Sequence, residues 1–583
     1  MFALITAIVT LAIRHGLRQS SDQQTDLLGI LIVIASLMIS VSCITRYRWS
    51  LRRSSFLKEH WAKVSFAGLF FVGSIFVFSM AHRLPFIDGP AGQRFEWLYA
   101  YSEGLILILG LLQSLSVSRA YASKGINPAL LLVGSFVVLV TIGTFLLMLP
   151  RARAVMPGVS AAEGAPFTTA LFTATSASCV TGLIVEPTGT YWSRFGQSVI
   201  LVLFQIGGLG IMTFGALFIA LAGRHLQVQE TATLRKLLDS DRLADVRQLL
   251  ITILIFTFTA EIVGAFLMAG LWPNAAPSEQ AFQAIFHSVS AFCNAGFSLT
   301  EDSFVGMADR WQIWFVVSGL IVVGGLGFGV VFNLYRVLHT RIRGPEKRSA
   351  IREDFFTQTR LSLTSRLVLC SSVSLLVIGT LGFVLLESFA STGEDYTRVA
   401  WSDAWFQSVS FRTAGFNTVD LGELQTTTKL LAIGMMFIGA SPGSTGGGIK
   451  TISISLVLLS IFSLLKGKDR VEVGHRRIPA SQIQRAFLVV TSGLFIVMVT
   501  TFLLVLFEAK PAQLIDHLFE ATSAFATVGL STGITAELTT PSRIVIVLTM
   551  FIGRVGPLTL LLALAGKQKR PTYDFPEERV ALG

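Results

Sequence analysis

The chain has 583 residues, of which 52% are hydrophobic and 14% are charged. Soluble domains carry about 25% charged residues, so these charges are too few to cover a water-exposed surface. The net charge of +11 does not indicate a nucleic-acid partner either, because the basic residues lie in short segments between apolar blocks and do not form one polar domain.

Long apolar blocks recur along the whole chain. A helix needs about 20 predominantly apolar residues to cross the hydrocarbon of a bilayer at a rise of about 1.5 Å per residue. Several blocks reach that length, so the sequence predicts an all-α polytopic membrane protein. The blocks are 27–45, 64–81, 129–149, 195–222, 249–271, 311–338, 367–386, 486–507 and 544–565.

The first 125 residues form a separate region, predicted as an N-terminal transmembrane extension of about three full spans and a short start. The start, Met1 to Ile13, lacks a charged n-region and a small-residue cleavage site. It is therefore interpreted as a short or fragmentary span and not as a signal peptide. The sequence does not indicate the role of this extension.

Four later segments share one pattern, in which a Phe is followed by small and hydroxyl-bearing residues and then by a Gly with an apolar neighbour. They are Phe172–Leu183, Phe286–Phe297, Phe406–Phe416 and Phe519–Leu530. Their glycines, Gly182, Gly296, Gly415 and Gly529, stand 114, 119 and 114 residues apart. A second glycine position follows each after 24 to 28 residues, at Gly207-Gly208, Gly324-Gly325, Gly439 and Gly553. Two features in register indicate a fourfold internal repeat.

The stretch before each glycine, about 10 to 14 residues, is too short to cross a bilayer as a helix. Non-helical backbone at membrane depth is tolerated only where it is buried in protein or lines an aqueous path. Each unit therefore predicts a helix, a re-entrant half-helix, a glycine-bearing loop and a second helix, with four units arranged pseudo-fourfold around one central pore. The predicted boundaries are 1–125 for the extension, 126–224, 225–340, 341–468 and 469–566 for pore repeats 1 to 4, and 567–583 for a cytoplasmic C-terminal tail.

The basic residues alternate with the repeats. Four inter-block segments, 46–63, 222–248, 339–365 and 466–485, hold 23 of the 46 Lys and Arg, and the segments between them are poor in both. Cytoplasmic loops carry such an excess, so all four glycine loops are predicted to open outward. The predicted location is the plasma membrane, as a multi-pass protein of a bacterial inner membrane with both termini cytoplasmic.

The glycine loops suit cation selection. A cation that enters a pore exchanges its water shell for oxygen ligands, which backbone carbonyls of converging loops supply. Glycine reaches φ > 0 without steric cost and allows the required bend, and the half-helix directs its negative C-terminal end at the cation. For one loop, close helix packing would explain the small residues equally well, but four loops in register favour a filter. The predicted ligands are the carbonyls of Val180, Thr181 and Gly182; Asn294, Ala295 and Gly296; Thr413, Ala414 and Gly415; and Thr527, Val528 and Gly529.

The second helix of repeat 3 is predicted to be interrupted over residues 439–450. Pro442 and five glycines disfavour a helix there, at about 3 kcal/mol for a proline and about 1 for each glycine. A phosphate-binding loop is the competing interpretation, but Ile449 separates Gly448 from Lys450 and no soluble strand precedes the segment. The residues of the interruption are Gly439, Ser441, Pro442, Gly443, Ser444, Thr445, Gly446, Gly447, Gly448 and Lys450.

The four loops, together with the segments Ser441 to Lys450 and Gly553 to Thr559, resemble the Trk/Ktr/HKT superfamily of potassium transporters, and among them the Ktr ion-translocating subunit. The resemblance covers roughly 127–566. It implies a homodimer of independently conducting chains, gated by a soluble cytoplasmic nucleotide-binding subunit of the RCK type on the basic face. It also implies that 439–450 is an intramembrane gating loop, and that glycine in all four loops, including Gly182 in the first, accompanies a preference for potassium.

Ionisable residues inside apolar helices are costly and mark functional positions by default. By the resemblance, Arg554 lines the pore beneath the filter as an electrostatic barrier near the gating loop; a structural ion pair with Glu261 is the alternative. Arg412 and Glu520 are expected to brace the loops without touching ions. His287 is expected to be a hydrogen-bonded residue and not a pH sensor.

The predicted function is therefore the potassium-translocating pore subunit of a Trk/Ktr-type uptake system, with potassium as the transported ion and sodium as a candidate coupling or activating ion. No covalently bound cofactor is expected, and no metal except potassium at the filter. The alternative is a cation-coupled secondary transporter working by alternating access, a class with inverted repeats and broken helices. An intramembrane enzyme would need paired catalytic groups within the spans, and a structural scaffold would leave the registered glycines unexplained.

Overall fold

The structure, a computed structural model, describes residues 22–49, 64–74, 102, 105, 128–155, 163–222, 243–343, 361–390, 400–468, 470–473, 476–508 and 513–564. The predicted C-terminal tail, 567–583, lies outside this set, as do most of the basic segments between repeats 1 and 2 and between repeats 2 and 3. Within the set the only strands form a hairpin, Glu472–Val473 with Arg476–Arg477. The predicted all-α class is confirmed.

Two helices of the N-terminal extension are described, Asp22–Trp49 and Val64–Ser74. Ile32 from the first and Phe66 and Phe70 from the second are buried in one apolar cluster with Leu105. These contacts hold the two helices against each other. Apart from Ser102 and Leu105, the rest of 1–125 lies outside the described residues.

Each repeat contains a first helix, a short helix and a second helix, and these names are kept below. The first helices are Pro128–Leu147, Leu243–Leu267, Leu363–Ala390 and Ala480–Phe507. The short helices are Phe167–Ser178, Pro277–Cys293, Trp401–Ser410 and Leu514–Ala526. The second helices are Arg194–Ala222; Gln312–Val317 (a π-helix) continued by Ser318–Leu326 and Phe328–Arg343; Thr426–Phe437 and Thr451–Leu465; and Thr540–Val555 and Pro557–Leu564. Two shorter turns of helix, Thr188–Tyr191 and Ile534–Glu537, lie between short and second helices.

Three described helices are long and apolar enough to cross a membrane: Ile30–Trp49, Leu363–Ser388 and Ala480–Phe507. A fourth crossing results if the bent pair Gln312–Leu326 and Phe328–Leu338 counts as one span. The short helices have 12, 17, 10 and 13 residues, which is less than the roughly 20 that a crossing needs. The helix and half-helix alternation expected from the repeats is therefore present.

The repeats close into a ring through one recurring contact. In every repeat the first helix packs on its own short helix, and the second helix packs on the short helix of the next repeat. The second helix of repeat 4 packs in the same way on the short helix of repeat 1. Each short helix is thus enclosed by its own repeat and by the preceding one, and the ring has no open side.

The second glycine of each motif permits close helix packing. A Cβ added to Gly207, Gly324 or Gly553 would overlap the carbonyl oxygen at the end of the same repeat's short helix, that of Ser178, Phe292 or Phe525 respectively. Each of these carbonyls lies four residues before its filter glycine. The second helices therefore touch the ends of the short helices at equivalent points. Gly439 is different, because its Cβ would meet the carbonyl of Gly447 within the same interruption.

The second helices are broken in three repeats, not in repeat 3 alone. Gly327 has φ +84° and the two parts of its helix are bent by 99°. Gly556 has φ +87° and ends the first part of the repeat 4 helix. Both follow the second glycine position by three residues, so the apolar blocks 311–338 and 544–565 are not continuous helices. The hydropathy of the sequence does not predict such breaks, because a glycine at φ > 0 changes the direction of the chain without changing its polarity.

Candidate functional site

Four glycines meet at the centre of the ring. A Cβ on Gly182 would lie 3.0 Å from the Cα of Gly296, and one on Gly296 would lie 2.9 Å from the Cα of Gly415. A Cβ on Gly415 would lie 3.3 Å from the Cα of Gly529, and one on Gly529 would lie 2.9 Å from the Cα of Gly182. The four loops thus surround one axis in chain order, and none has room for a side chain at its glycine.

Each loop holds a second residue at positive φ, two positions before the glycine. These residues are Val180 (57°), Asn294 (57°), Thr413 (68°) and Thr527 (50°). A β-branched residue in this region is an outlier, and the conformation costs about 1–3 kcal/mol for each residue. The four residues were predicted as ligands but not at positive φ, because no side-chain type shared by all four favours that conformation. The strain is imposed by the shared backbone path, which turns twice in each loop.

One serine in each short helix fixes the loop that follows. The amide of the middle loop residue donates to the carbonyl of this serine in all four repeats, at 2.7 Å, 2.7 Å, 3.0 Å and 2.9 Å. The serines are Ser176, Ser290, Ser410 and Ser523. Their hydroxyls add a second bond, from the glycine amide in repeats 1 and 4 and to the carbonyl after the glycine in repeats 2 and 3. The serine shared by all four sequence motifs was a signal for this role.

The amides of the loops thus donate hydrogen bonds within the protein, whereas the loop carbonyls have no such partner among the described residues. Within the described part of the chain, none of the twelve carbonyls predicted as ligands accepts a hydrogen bond from a protein donor. Eight of the twelve residues are 0% exposed; they are Val180, Thr181, Asn294, Ala295, Thr413, Ala414, Thr527 and Val528. Buried carbonyls are nearly always paired. The twelve carbonyls thus depart from this pattern, and the C-terminal ends of four short helices, which carry a partial negative charge, adjoin them.

The interruption of repeat 3 lies against one end of this site. Helix Thr426–Phe437 ends before it and helix Thr451–Leu465 resumes after it. A Cβ added to Gly446 or Gly447 would overlap the hydroxyl of Thr413 or Thr527, the first predicted ligand residue of loops 3 and 4. Because these glycines have no side chains, the interrupting segment closely approaches the end of the ring of loops where the short helices enter.

The segment is tied to three repeats. The amide of Ser441 donates to the carbonyl of Gly325 at 3.1 Å, and the amide of Thr445 donates to that of Gly324 at 3.3 Å, both in repeat 2. In return, the carbonyl of Gly443 accepts from the amide of Phe328 at 3.0 Å. These bonds use groups of the broken second helix, so the break at Gly327 provides partners for the segment. The segment contacts repeat 4 directly at Thr527 and through Arg554, which also links it to repeat 1.

Arg554 bridges the segment to the first repeat. Its side chain is 2% exposed, and its guanidinium donates to the carbonyl of Thr445 and, at 2.6 Å, to that of Gly207. The alternative pairing with Glu261 is not present among the described residues, since Glu261 accepts instead from the amide of Gln205 at 2.9 Å and 3.2 Å. The positive charge of Arg554 thus lies beside the segment that adjoins the ring of loops.

The other predicted residues have local partners. The ammonium group of Lys450 donates to the carbonyl of Gly446 at 2.6 Å, within the same segment. The guanidinium of Arg412 donates to the hydroxyl of Ser372 at 3.1 Å, on the first helix of repeat 3. His287 and Glu520 both bond to the chain beyond a filter glycine, as described below. None of these contacts brings a charged side chain into the ring of loops.

The fold and the site define a multi-pass membrane protein whose four re-entrant loops surround one central axis. Residues 115–572 match the family model described as TrkH, cation transport protein, and the chain belongs to this family. It is 35% identical over 459 residues to Ktr system potassium uptake protein B of Bacillus subtilis (strain 168), covering 78% of this chain and 96% of that protein. It is 33% identical over 480 residues to potassium/sodium uptake protein NtpJ of Enterococcus hirae, covering 80% and 100%.

A solved structure has the same fold. The crystal structure of the potassium transporter TrkH from Vibrio parahaemolyticus matches with a TM-score of 0.55 and 18% identity, covering 92% of this chain and 97% of that chain. At this identity the match supports the architecture alone.

Proposed function

We propose that this chain is the potassium-translocating pore subunit of a Trk/Ktr-type uptake system, in which the backbone carbonyls of the four loops select potassium. The observation that carries the proposal is the closed ring of Gly182, Gly296, Gly415 and Gly529 with its unpaired carbonyls. Carbonyl cages of this kind replace the hydration shell of potassium. The printed names of both relatives above refer to potassium uptake, which supports the choice of ion.

We propose further that the segment 439–450 is the gate. It lies against Thr413 and Thr527 at one end of the filter, and it is held by hydrogen bonds to neighbouring repeats and not by a continuous helix. A segment held only by such hydrogen bonds can leave its observed position when they break. The charge of Arg554 adds an electrostatic barrier to cations while the segment is in place.

The assembly is also part of the proposal. The relative's name refers to a Ktr system, and a homodimer of conducting chains with an RCK-type cytoplasmic subunit would fit that description. NtpJ is named for potassium and sodium, which supports sodium as a coupling or activating ion. Potassium uptake by proteoliposomes, measured with and without sodium on the entry side, tests this point, and equal uptake in both conditions would remove sodium from the proposal.

Substitution of Gly182 by serine tests the filter. A Cβ at this position would lie 2.5 Å from the carbonyl oxygen of Ala295, one of the predicted ligands, and the backbone φ is +92°. Either the loop or the carbonyl must move, at a cost of about 1–3 kcal/mol. Because about 1.4 kcal/mol is a factor of ten, we expect the preference for potassium over sodium to fall by roughly tenfold or more in reconstituted flux.

The matched control is Gly533→Ser. Gly533 has φ +98° but has no atom within 4 Å of an added Cβ, so it carries the same backbone strain without crowding the filter. We expect this variant to keep its selectivity. If Gly182→Ser were as selective as wild type, or if both variants lost selectivity equally, the ring would not be the filter.

Alternating access remains the second candidate, because the second helices of three repeats are broken as in carriers of that class. The two mechanisms differ in tracer flux. With the membrane potential clamped at zero, unlabelled potassium added on the opposite side accelerates tracer efflux through a carrier but not through a pore. Such acceleration in proteoliposomes would favour the carrier.

A further inference from the structure

His287 and Glu520 occupy the same place in two different repeats. Each follows the phenylalanine that recurs in all four short helices, and each stands nine residues before its filter glycine, Gly296 or Gly529. Both side chains are 0% exposed. Two ionisable groups at equivalent buried positions are a costly arrangement, so their partners indicate what they do.

His287 holds the chain just beyond the filter in repeat 2. Its Nδ1 lies 2.8 Å from the carbonyl of Gln283, which can only accept, so Nδ1 carries the proton. Its Nε2 is then an acceptor; the amide of Leu299 donates to it at 3.2 Å and the hydroxyl of Ser298 lies at 3.0 Å. The ring stacks on Trp272 with centroids 4.8 Å apart. These contacts fix a neutral imidazole in one orientation.

Glu520 makes the matching contacts in repeat 4. The amide of Thr532 donates to its Oε1 at 3.2 Å, and the hydroxyl of Ser531 donates to the same oxygen. The hydroxyl of Thr535 donates to Oε2 at 2.7 Å. In both repeats the side chain therefore accepts from the amide three residues after the glycine and contacts the hydroxyl two residues after it.

Among the described residues, no equivalent contacts are present in the other two repeats. Their corresponding residues are Thr173 and Gln407, and neither amide atom of Gln407 has a hydrogen-bond partner within the part of the chain that the structure describes. Around the ring, Gly296 lies next to Gly415, and Gly415 lies next to Gly529. Loops 2 and 4 therefore lie diagonally opposite each other. Both are held by ionisable side chains, whereas loops 1 and 3 are not held in this way.

We propose that His287 and Glu520 are a pair of positioning residues that hold loops 2 and 4 apart at the end of the filter away from the gate, and so set its discrimination between cations. This rests on the proposed filter. Neither side chain reaches the cation path, because both are fully buried and their accepting atoms are occupied by their own loops. A carbonyl cage that can contract accepts a smaller, sodium-sized ion. Acceptors behind the two diagonal loops oppose that contraction.

The test uses variants that remove the acceptors and keep the volume. His287→Phe keeps the ring beside Trp272 and Phe304 but removes both nitrogens, and Glu520→Leu removes both oxygens. Glu520→Gln keeps an acceptor oxygen and loses the charge. Sodium and potassium uptake by reconstituted protein is measured for each variant, together with its yield after extraction and its thermal unfolding temperature.

We expect the preference for potassium to fall by about tenfold in His287→Phe and in Glu520→Leu, and to stay within about twofold of wild type in Glu520→Gln. If either acceptor-free variant fails to fold, Ser298→Ala and Ser531→Ala remove one bond from each clamp and are expected to lower the preference by a few fold. Ser492→Ala, which loses only a bond to the carbonyl of Val489 in its own helix, is the control.

Two outcomes would overturn the proposal. One is wild-type selectivity in folded acceptor-free variants, or in the serine variants if those alone fold. The other is equal loss in Glu520→Gln and Glu520→Leu, which would assign the effect to charge. Since Gly182→Ser is measured in the same assay, a filter that responds to that change but not to the clamps removes this proposal alone. A filter that responds to none of them removes both.

Discussion

Replacing Arg554 by glutamine should release the gate. The guanidinium donates to the carbonyls of Thr445 and Gly207, and a hydrogen bond from a charged donor contributes about 1.5–3 kcal/mol. The shorter, neutral glutamine cannot span both carbonyls, so the closed position should lose about 3 kcal/mol or more. At about 1.4 kcal/mol per factor of ten, the balance between closed and open segments shifts by on the order of a hundredfold.

The assay is basal potassium uptake by proteoliposomes without any regulatory subunit. We expect Arg554→Gln to raise the initial rate by up to about a hundredfold, with a ceiling reached once most segments are open. Arg543→Gln is the control, because Arg543 lies on the same helix and also donates to two carbonyls, those of Leu538 and Ala536. A rate unchanged in Arg554→Gln, or raised equally in the control, would refute the reasoning.

Three further predictions concern the gate, the packing and the helix ends. Deletion of residues 443–448 should raise basal uptake, because it removes the segment that lies against the filter; wild-type uptake would argue against a gate. Gly553→Ala should lower the thermal unfolding temperature, since its Cβ would overlap the carbonyl of Phe525 and overpacking costs about 1–3 kcal/mol; an unchanged temperature would contradict the close contact. Burial raises the pKa of Glu508, but hydrogen bonds from Ser542 and Thr539 outweigh it and leave the pKa below its usual value. The stability that Glu508 contributes is therefore present above its unfolded pKa and is lost as pH falls through the folded pKa, so wild type and Glu508→Gln should converge in unfolding temperature on acidification.

Controls for these experiments are present in the chain. Gly434 lies in a second helix and has no atom within 4 Å of an added Cβ, so Gly434→Ala should leave the unfolding temperature within about a degree or raise it slightly, because alanine favours helix over glycine. For the acid titration, a constant difference between wild type and Glu508→Gln over the whole pH range would show that the carboxylate does not cap the helix that begins at Thr540.

The sequence predicted the four loops and the arrangement of helices around them because both depend on periodic features that survive in a single chain. A glycine in register marks a bend, and an apolar block marks a helix. The left-handed backbone of Val180 and Thr527 could not be predicted in this way, because no local preference favours it. The short helix and the neighbouring loops impose it, and only the assembled ring contains those constraints.

The breaks at Gly327 and Gly556 were missed for a related reason. A glycine in an apolar run is compatible with a continuous helix. At Gly327 the bent helix is instead bonded to the interrupting segment of repeat 3, through Gly324, Gly325 and Phe328. The clamp formed by Glu520 was predicted only as a brace. Its equivalence to His287 became visible once both were seen to hold the same positions beyond the filter.

The contact between the second helix of repeat 4 and the short helix of repeat 1 also bears on biogenesis. The two elements lie more than 350 residues apart along the chain, from Phe167–Ser178 to Thr540–Val555, so they can meet only once repeat 4 has been synthesised. Until then the earliest re-entrant segment has one flank without a partner, at a depth where unpaired backbone is costly. Such distant pairing is slow. A chain truncated before the last repeat would therefore leave the short helix of repeat 1 without a packing partner on one side.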